Sequence, residues 1–166
     1  MAVVSTKSTQ ITNRDATPKV ISNSFLTKAS LSQASGVVAA VSGDSIASKY
    51  FFTSVPSSAK MSSLMLSHPD IGTTGAMDVG LYQTTEAGGA VVDADFFKAA
   101  HSLSGGALTK SEVLFGNVIT VANAEKRLWE HLSLTSDPGV MYDIVGTLTA
   151  AQDASGAILA EAVYME

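Results

Sequence analysis

From residue 31 to the end, the chain is built of short apolar runs, each cut within about a dozen residues by Gly, Pro or Ser. That rhythm constrains the fold more than any other feature. Runs of this length suit strands, and the turn residues between them suit reversals of direction. Leu31–Gly43 is uncharged, and its VVAAV is compatible with a strand or a buried segment before a turn at Gly43–Asp44. Lys49–Val55 (KYFFTSV) combines aromatic and β-branched residues and stops at Pro56, as a strand does. Ala59–Ser67 alternates imperfectly, and Met77–Gln83 alternates Met, Val and Leu with Asp, Gly and Tyr in the manner of a half-buried strand. Val113–Val121, Met141–Ala150 and Ala157–Met165 read as three more strands.

Two segments carry helical spacing instead. After Asp93, ADFFKAAHSLS places Phe96, Phe97, Ala100 and Leu103 together, with Asp93 as an N-cap and Gly105–Gly106 as a stop. After Asn123, AEKRLWEHLSL sets Ala124, Leu128 and Leu132 on one face, with Glu125 near the positive helix end. Many short strands and two brief helices predict a mainly β protein: an antiparallel β-sandwich of jelly-roll type.

Residues 1–30 have a different texture. They hold ten Ser/Thr, no Gly and no sustained periodicity, and Lys7, Arg14, Lys19 and Lys28 against Asp15 give a balance of +3. The remaining residues carry −8, for a net charge of −5. A basic lead before an acidic body reads as an extended N-terminal arm over 1–30 and a sandwich body over 31–166. Val20, Ile21, Phe25 and Leu26 give such an arm apolar contacts to make, which a purely solvated tail does not need. The partner-binding residues expected in the arm are therefore Lys7, Arg14, Lys19, Val20, Ile21, Phe25, Leu26 and Lys28.

Chemistry is harder to find. With no cysteine, disulfides, thiolate metal sites and cysteine nucleophiles are excluded. His68 is expected in a turn, His101 and His131 on helices, all three as ordinary surface or partly buried residues; none sits in a catalytic spacing. Asp93 and Asp95 serve as cap and first-turn acid rather than as a metal pair, and no glycine-rich phosphate cradle follows a strand. Trp129 reads as core or interface rather than as a sugar platform. No catalytic, cofactor-binding or metal-binding residue is assigned, and no enzyme activity is expected. The net charge and the sparse Lys/Arg of the arm argue against nucleic acid as a partner. No apolar run reaches about 18 residues, and the start lacks the pattern of a secretory signal, so neither a membrane nor export is expected.

The segments GDSIASKYFFTSVPSSAKMSSLMLS, MDVGLYQT, GGAVVDADFFKAA and EKRLWEHLSLTSDPGVMYDIVGTLTAA, in that order, resemble the decoration (cement) proteins of tailed-bacteriophage capsids. The resemblance spans roughly residues 30–166 and rests on texture and segment order, not on a catalytic motif. It implies a jelly-roll or sandwich body that assembles as a homodimer or homotrimer on the outer surface of a major capsid protein shell. It implies a virion protein made in the host bacterial cytoplasm, without cofactor. Two other readings stand beside it: a head–tail connector, tail or fibre-base subunit, and a carbohydrate-binding β-sandwich.

Overall fold

The structure, a computed structural model, describes residues 7–21 and 30–166. Its elements run α1 (Thr9–Asp15), β1 (Leu31–Ala40), β2 (Lys49–Pro56), β3 (Lys60–His68), β4 (Ala76–Gln83), β5 (Val91–Ser102), β6 (Leu108–Glu112), α2 (Leu128–His131), β7 (Met141–Ala150) and β8 (Gly156–Met165). Single 3₁₀ turns lie at Thr85–Ala87 and Leu114–Gly116.

The strands form two four-stranded sheets, ordered β1-β8-β3-β6 and β2-β7-β4-β5. Every pairing is antiparallel: β1 with β8, β2 with β7, β3 with β6 and β4 with β5. The first four strands thus pair with the last four in reverse order. This is one long antiparallel ribbon rolled up, with β3–β8 and β4–β7 as the contacts made by rolling. The result is the jelly roll expected from the sequence.

Alternation decides which side chains enter the core. In β8, Ile158, Ala160, Ala162 and Tyr164 point inward, while Leu159, Glu161, Val163 and Met165 point outward. The imperfect alternation of Ala59–Ser67 has a physical cause. Pairing with β8 slips between Met61 and Ser63, so Ser62 is an extra residue, and Leu64 and Leu66 return to the core side. A second bulge, between Phe51 and Thr53, does the same in β2 and leaves both Phe52 and Val55 inward. The core gathers Phe96, Phe97, Leu64, Leu66, Leu81 and Ile144, each essentially without exposure. Each such side chain contributes about 1.5–3 kcal/mol by burial.

Three expected elements differ. The helix after Asp93 is strand β5. Its backbone bulges across β4 rather than coiling: Leu81 pairs with Asp93 and Val79 with Lys98, so the run between them is longer than its partner. Gly80 makes room for it, since a Cβ there would lie 2.1 Å from the Asp93 carbonyl oxygen. The bulge turns the adjacent Phe96 and Phe97 both into the core, edge to face at 4.9 Å, and on paper this clustering imitates a helix face.

The helix after Asn123 shrinks to the single turn α2, where Arg127 N donates to the Glu130 carboxylate at 2.7 Å. Asn123 closes an earlier turn instead: its Oδ1 accepts from Thr120 N at 2.6 Å and its Nδ2 donates to Val118 O. The expected strand at 113–121 is a 3₁₀ turn and irregular chain. Val113, Leu114 and Ile119 plug the core there, and Gly116 presses against the Phe97 carbonyl.

The arm is not extended throughout. Thr9–Asp15 forms a helix of two turns, started by Ser8, whose Oγ accepts from Ile11 N at 3.4 Å. It ends ahead of Pro18, which disfavours helical backbone at the residue before it.

Candidate interaction surfaces

In the arm, Asp15 gathers two of the cations. Lys7 Nζ lies 2.8 Å from one carboxylate oxygen and Arg14 Nε 2.8 Å from the other. The hydrogen bonds from Arg14, then Lys7, hold the Asp15 carboxyl below the usual carboxylate range. Lys19 makes no ion pair with any described residue. Val20 is about half exposed, and Ile21 is 96% exposed. No residue of α1 is buried, and a hydrogen bond from Gln10 Nε2 to Glu125 Oε1 at 3.2 Å links the helix to the loop before α2. Five of the eight residues expected to bind a partner are therefore seen, all of them at the surface or partly so. Phe25, Leu26 and Lys28 lie outside the described residues.

The histidines are placed differently from expectation. His68 ends β3 and His101 lies in β5, and both are buried, one in each sheet. Their rings meet edge to face at 5.6 Å. His68 Nδ1 lies 2.7 Å from the Pro69 carbonyl, while Nε2 of each ring is buried with no hydrogen-bond partner. Burial first, then the neighbouring charges of His68 and Lys98, pushes the His101 pKa down to about 4. His131, on α2 as expected, packs edge to face on Phe96 at 6.1 Å. Sequence spacing had no means of pairing His68 with His101, which are joined only by closure of the sandwich.

The hydroxyl groups that make short hydrogen bonds do so to carboxylates: Ser54 to Asp143 and Ser57 to Asp137, each at 2.5 Å. Among the described residues, no histidine is hydrogen-bonded to either serine. Asp93 and Asp95 stand on the β5 bulge, where Asp95 N donates to Asp93 Oδ1 at 3.3 Å. Desolvation, then its neighbour Asp95, raises the Asp93 carboxyl above its ordinary range. Among the described residues, no three His, Asp or Glu side chains converge as a metal cage would require.

The outer faces of the two sheets contrast. On β2-β7-β4-β5, a shallow depression of about 220 Å³ is lined by Phe51, Phe52, Thr53, Ser54 and Asp143. Phe51 is half exposed there and meets the ring of Tyr82, over which Lys49 Nζ sits at 4.6 Å. On β1-β8-β3-β6, Lys110 pairs with Glu161, while Lys60 and the exposed Glu112 make no ion pair with any described residue. All four tyrosines are buried and Trp129 is half-buried with its Nε1 unpartnered, which leaves Phe51 and Phe115 as the half-exposed aromatic rings among the described residues.

No family model matches the chain, and no curated protein does. Among solved structures, a chain of the cyanophage Pam1 capsid asymmetric unit is similar at a TM-score of 0.47 and 13% identity. The match covers 82% of this chain and 85% of that one. A likeness of that strength assigns neither family nor role.

Proposed function

We propose that this chain is a non-enzymatic structural protein of a phage virion, which binds the outer surface of the capsid shell and cements neighbouring capsomers through its body and N-terminal arm. The observation that carries the reading is the arm. Residues 7–21 contribute a basic, surface-lying segment with Ile21 almost fully exposed, beside a jelly-roll body that keeps its own core. Exposed Val20 and Ile21 beside Lys19, which makes no ion pair with a described residue, would give a partner apolar and charged contacts together.

The resemblance of residues 30–166 to capsid decoration proteins supports the same reading. So does the charge split, because a basic arm is drawn to acidic shell surface while the acidic body is not. The buried tyrosines weigh against a carbohydrate-binding role.

Mixing purified chain with undecorated shells and sedimenting the particles tests the proposal. The full chain is expected to pellet with shells, and a chain lacking residues 1–30 to stay folded and pellet poorly. Equal binding by the truncated chain would remove the arm from the mechanism.

A further inference from the structure

In β7, Ile144 points into the core, so its neighbour Val145 points out of the sheet; yet Val145 is completely buried and is not part of the core between the sheets. Its cover is aromatic. Cross-strand register sets Ser54, Asp143 and Tyr82 in one row of this outer face and Phe51, Val145 and Gly80 in the next. Tyr82 Oη reaches across the second row to Thr147 Oγ1, hydrogen-bonded at 2.8 Å, so its ring lies along the sheet at Val145. The ring of Phe51 meets that ring edge to face at 6.4 Å between centroids, which holds it beside the depression of about 220 Å³.

Asp143 is the one charged group among the five residues that line this depression. Its Oδ1 accepts from Ser54 Oγ, which orients the carboxylate, and Asp143 makes no ion pair with any described residue. The same aromatic pair already holds a cation elsewhere, since Lys49 Nζ lies over Tyr82 at 4.6 Å. Lys49 itself pairs in register with Thr147, four residues along β7 from Asp143. An oriented carboxylate beside a half-exposed ring is thus left with no cation of its own.

We propose that this depression binds an arginine side chain of the shell protein, its guanidinium plane stacked on Phe51 and its N–H groups donating to the Asp143 carboxylate. Charge selects the sign of the occupant: residues 31–166 carry −8, and their field draws cations. Size selects a single side chain, because the depression is smaller than the about 300–1,000 Å³ of a small-molecule cleft. Shape selects arginine, whose planar fork can stack and pair at once, whereas the lysine ammonium is a point charge. The contact complements the arm, whose cations seek acids on the shell.

The source of the arginine rests on the proposed function, but the chemistry of the depression does not, so the two are measured separately. Titrating the isotopically labelled full chain with N-acetylarginine amide is expected to shift the amide resonances of residues 51–54 and 143 saturably. N-acetylnorleucine amide at matched ionic strength should not. Asp143→Asn should weaken the arginine binding about tenfold, and Phe51→Ala about threefold. Asparagine keeps an acceptor for Ser54, so the melting temperature of that variant should hold. Asp143→Asn should also lower the fraction of chain that pellets with shells. Absence of a saturable shift overturns the proposal, as does equal affinity for norleucine amide or an unchanged affinity in Asp143→Asn. Saturable arginine binding with undiminished pelleting of Asp143→Asn overturns the shell as the source and leaves the proposed function standing. A wild-type chain that never pellets with shells removes the proposed function, and with it the shell as source, whatever the titration shows.

Discussion

His68 and His101 meet edge to face between the two sheets, one from each, with ring centroids 5.6 Å apart. Both are buried, and each keeps an unpartnered Nε2. A proton on His101 brings a charge into a buried site with no carboxylate hydrogen-bonded to it.

Stability should therefore fall with acid before the carboxylates titrate. The His101 pKa drops from 6.5 to about 4 on folding, so the unfolded chain takes the proton first. The neutral form's contribution is complete above pH 6.5 and is lost as pH falls toward about 4. It amounts to as much as ~3 kcal/mol. Urea unfolding at several pH values over that window should show the slope, and His101→Phe should flatten it. A wild-type stability that is level across the window would contradict the assignment.

Gly36 on β1 lies where that strand passes close against the backbone of β2. A Cβ there would sit 1.8 Å from the Phe52 carbonyl oxygen, and the obstacle is backbone. Gly36→Ala should cost about 3 kcal/mol, while Ser35→Ala, one residue away on the exposed side, should stay within about 0.5 kcal/mol. Thermal melts of the two variants compare them directly.

Phe97 lies at the centre of the core on the β5 bulge, in contact with Phe96. Phe97→Ala should destabilise by about 3–5 kcal/mol, measured by denaturant midpoint at constant slope. If β5 were the helix that its spacing suggested, hydrogen exchange would protect the amides of 94–102 in a helical pattern. The pairing with β4 instead predicts protection that breaks at the bulge.

What the sequence disclosed follows from what periodicity can carry. The strands at 76–83, 141–150 and 156–165 keep a two-residue period, 49–56 shows itself by aromatic and β-branched residues up to Pro56, and the jelly roll was legible from the number and spacing of such runs. β5 was not, because its bulge sets Phe96 and Phe97 inward together and erases the two-residue period. The 113–121 run was misread because burial as a plug needs the same apolar residues as burial in a sheet. In the arm, the basic residues and their exposure were readable. The clamp of Asp15 on Lys7 and Arg14 was not, since it depends on a helix that Ser8 starts and short-range texture concealed.

That clamp makes the cations of the arm unequal. Lys19→Glu should weaken shell binding more than either Lys7→Glu or Arg14→Glu, because Lys19 has no described acid beside it. Asp15→Asn should strengthen binding severalfold by releasing both partners. Each effect should shrink as salt is raised past roughly 0.15 M. Titrations at low and high ionic strength read all four variants, and affinities indifferent to charge and to salt would leave the arm's apolar residues as its only contacts.

The most direct measurement is quantitative sedimentation of particles from a lysate of the source, with this chain counted beside the major shell protein. A role on the capsid exterior predicts comigration with full particles in near-stoichiometric amount. A chain found only at the top of the gradient, as a small free species, would contradict it.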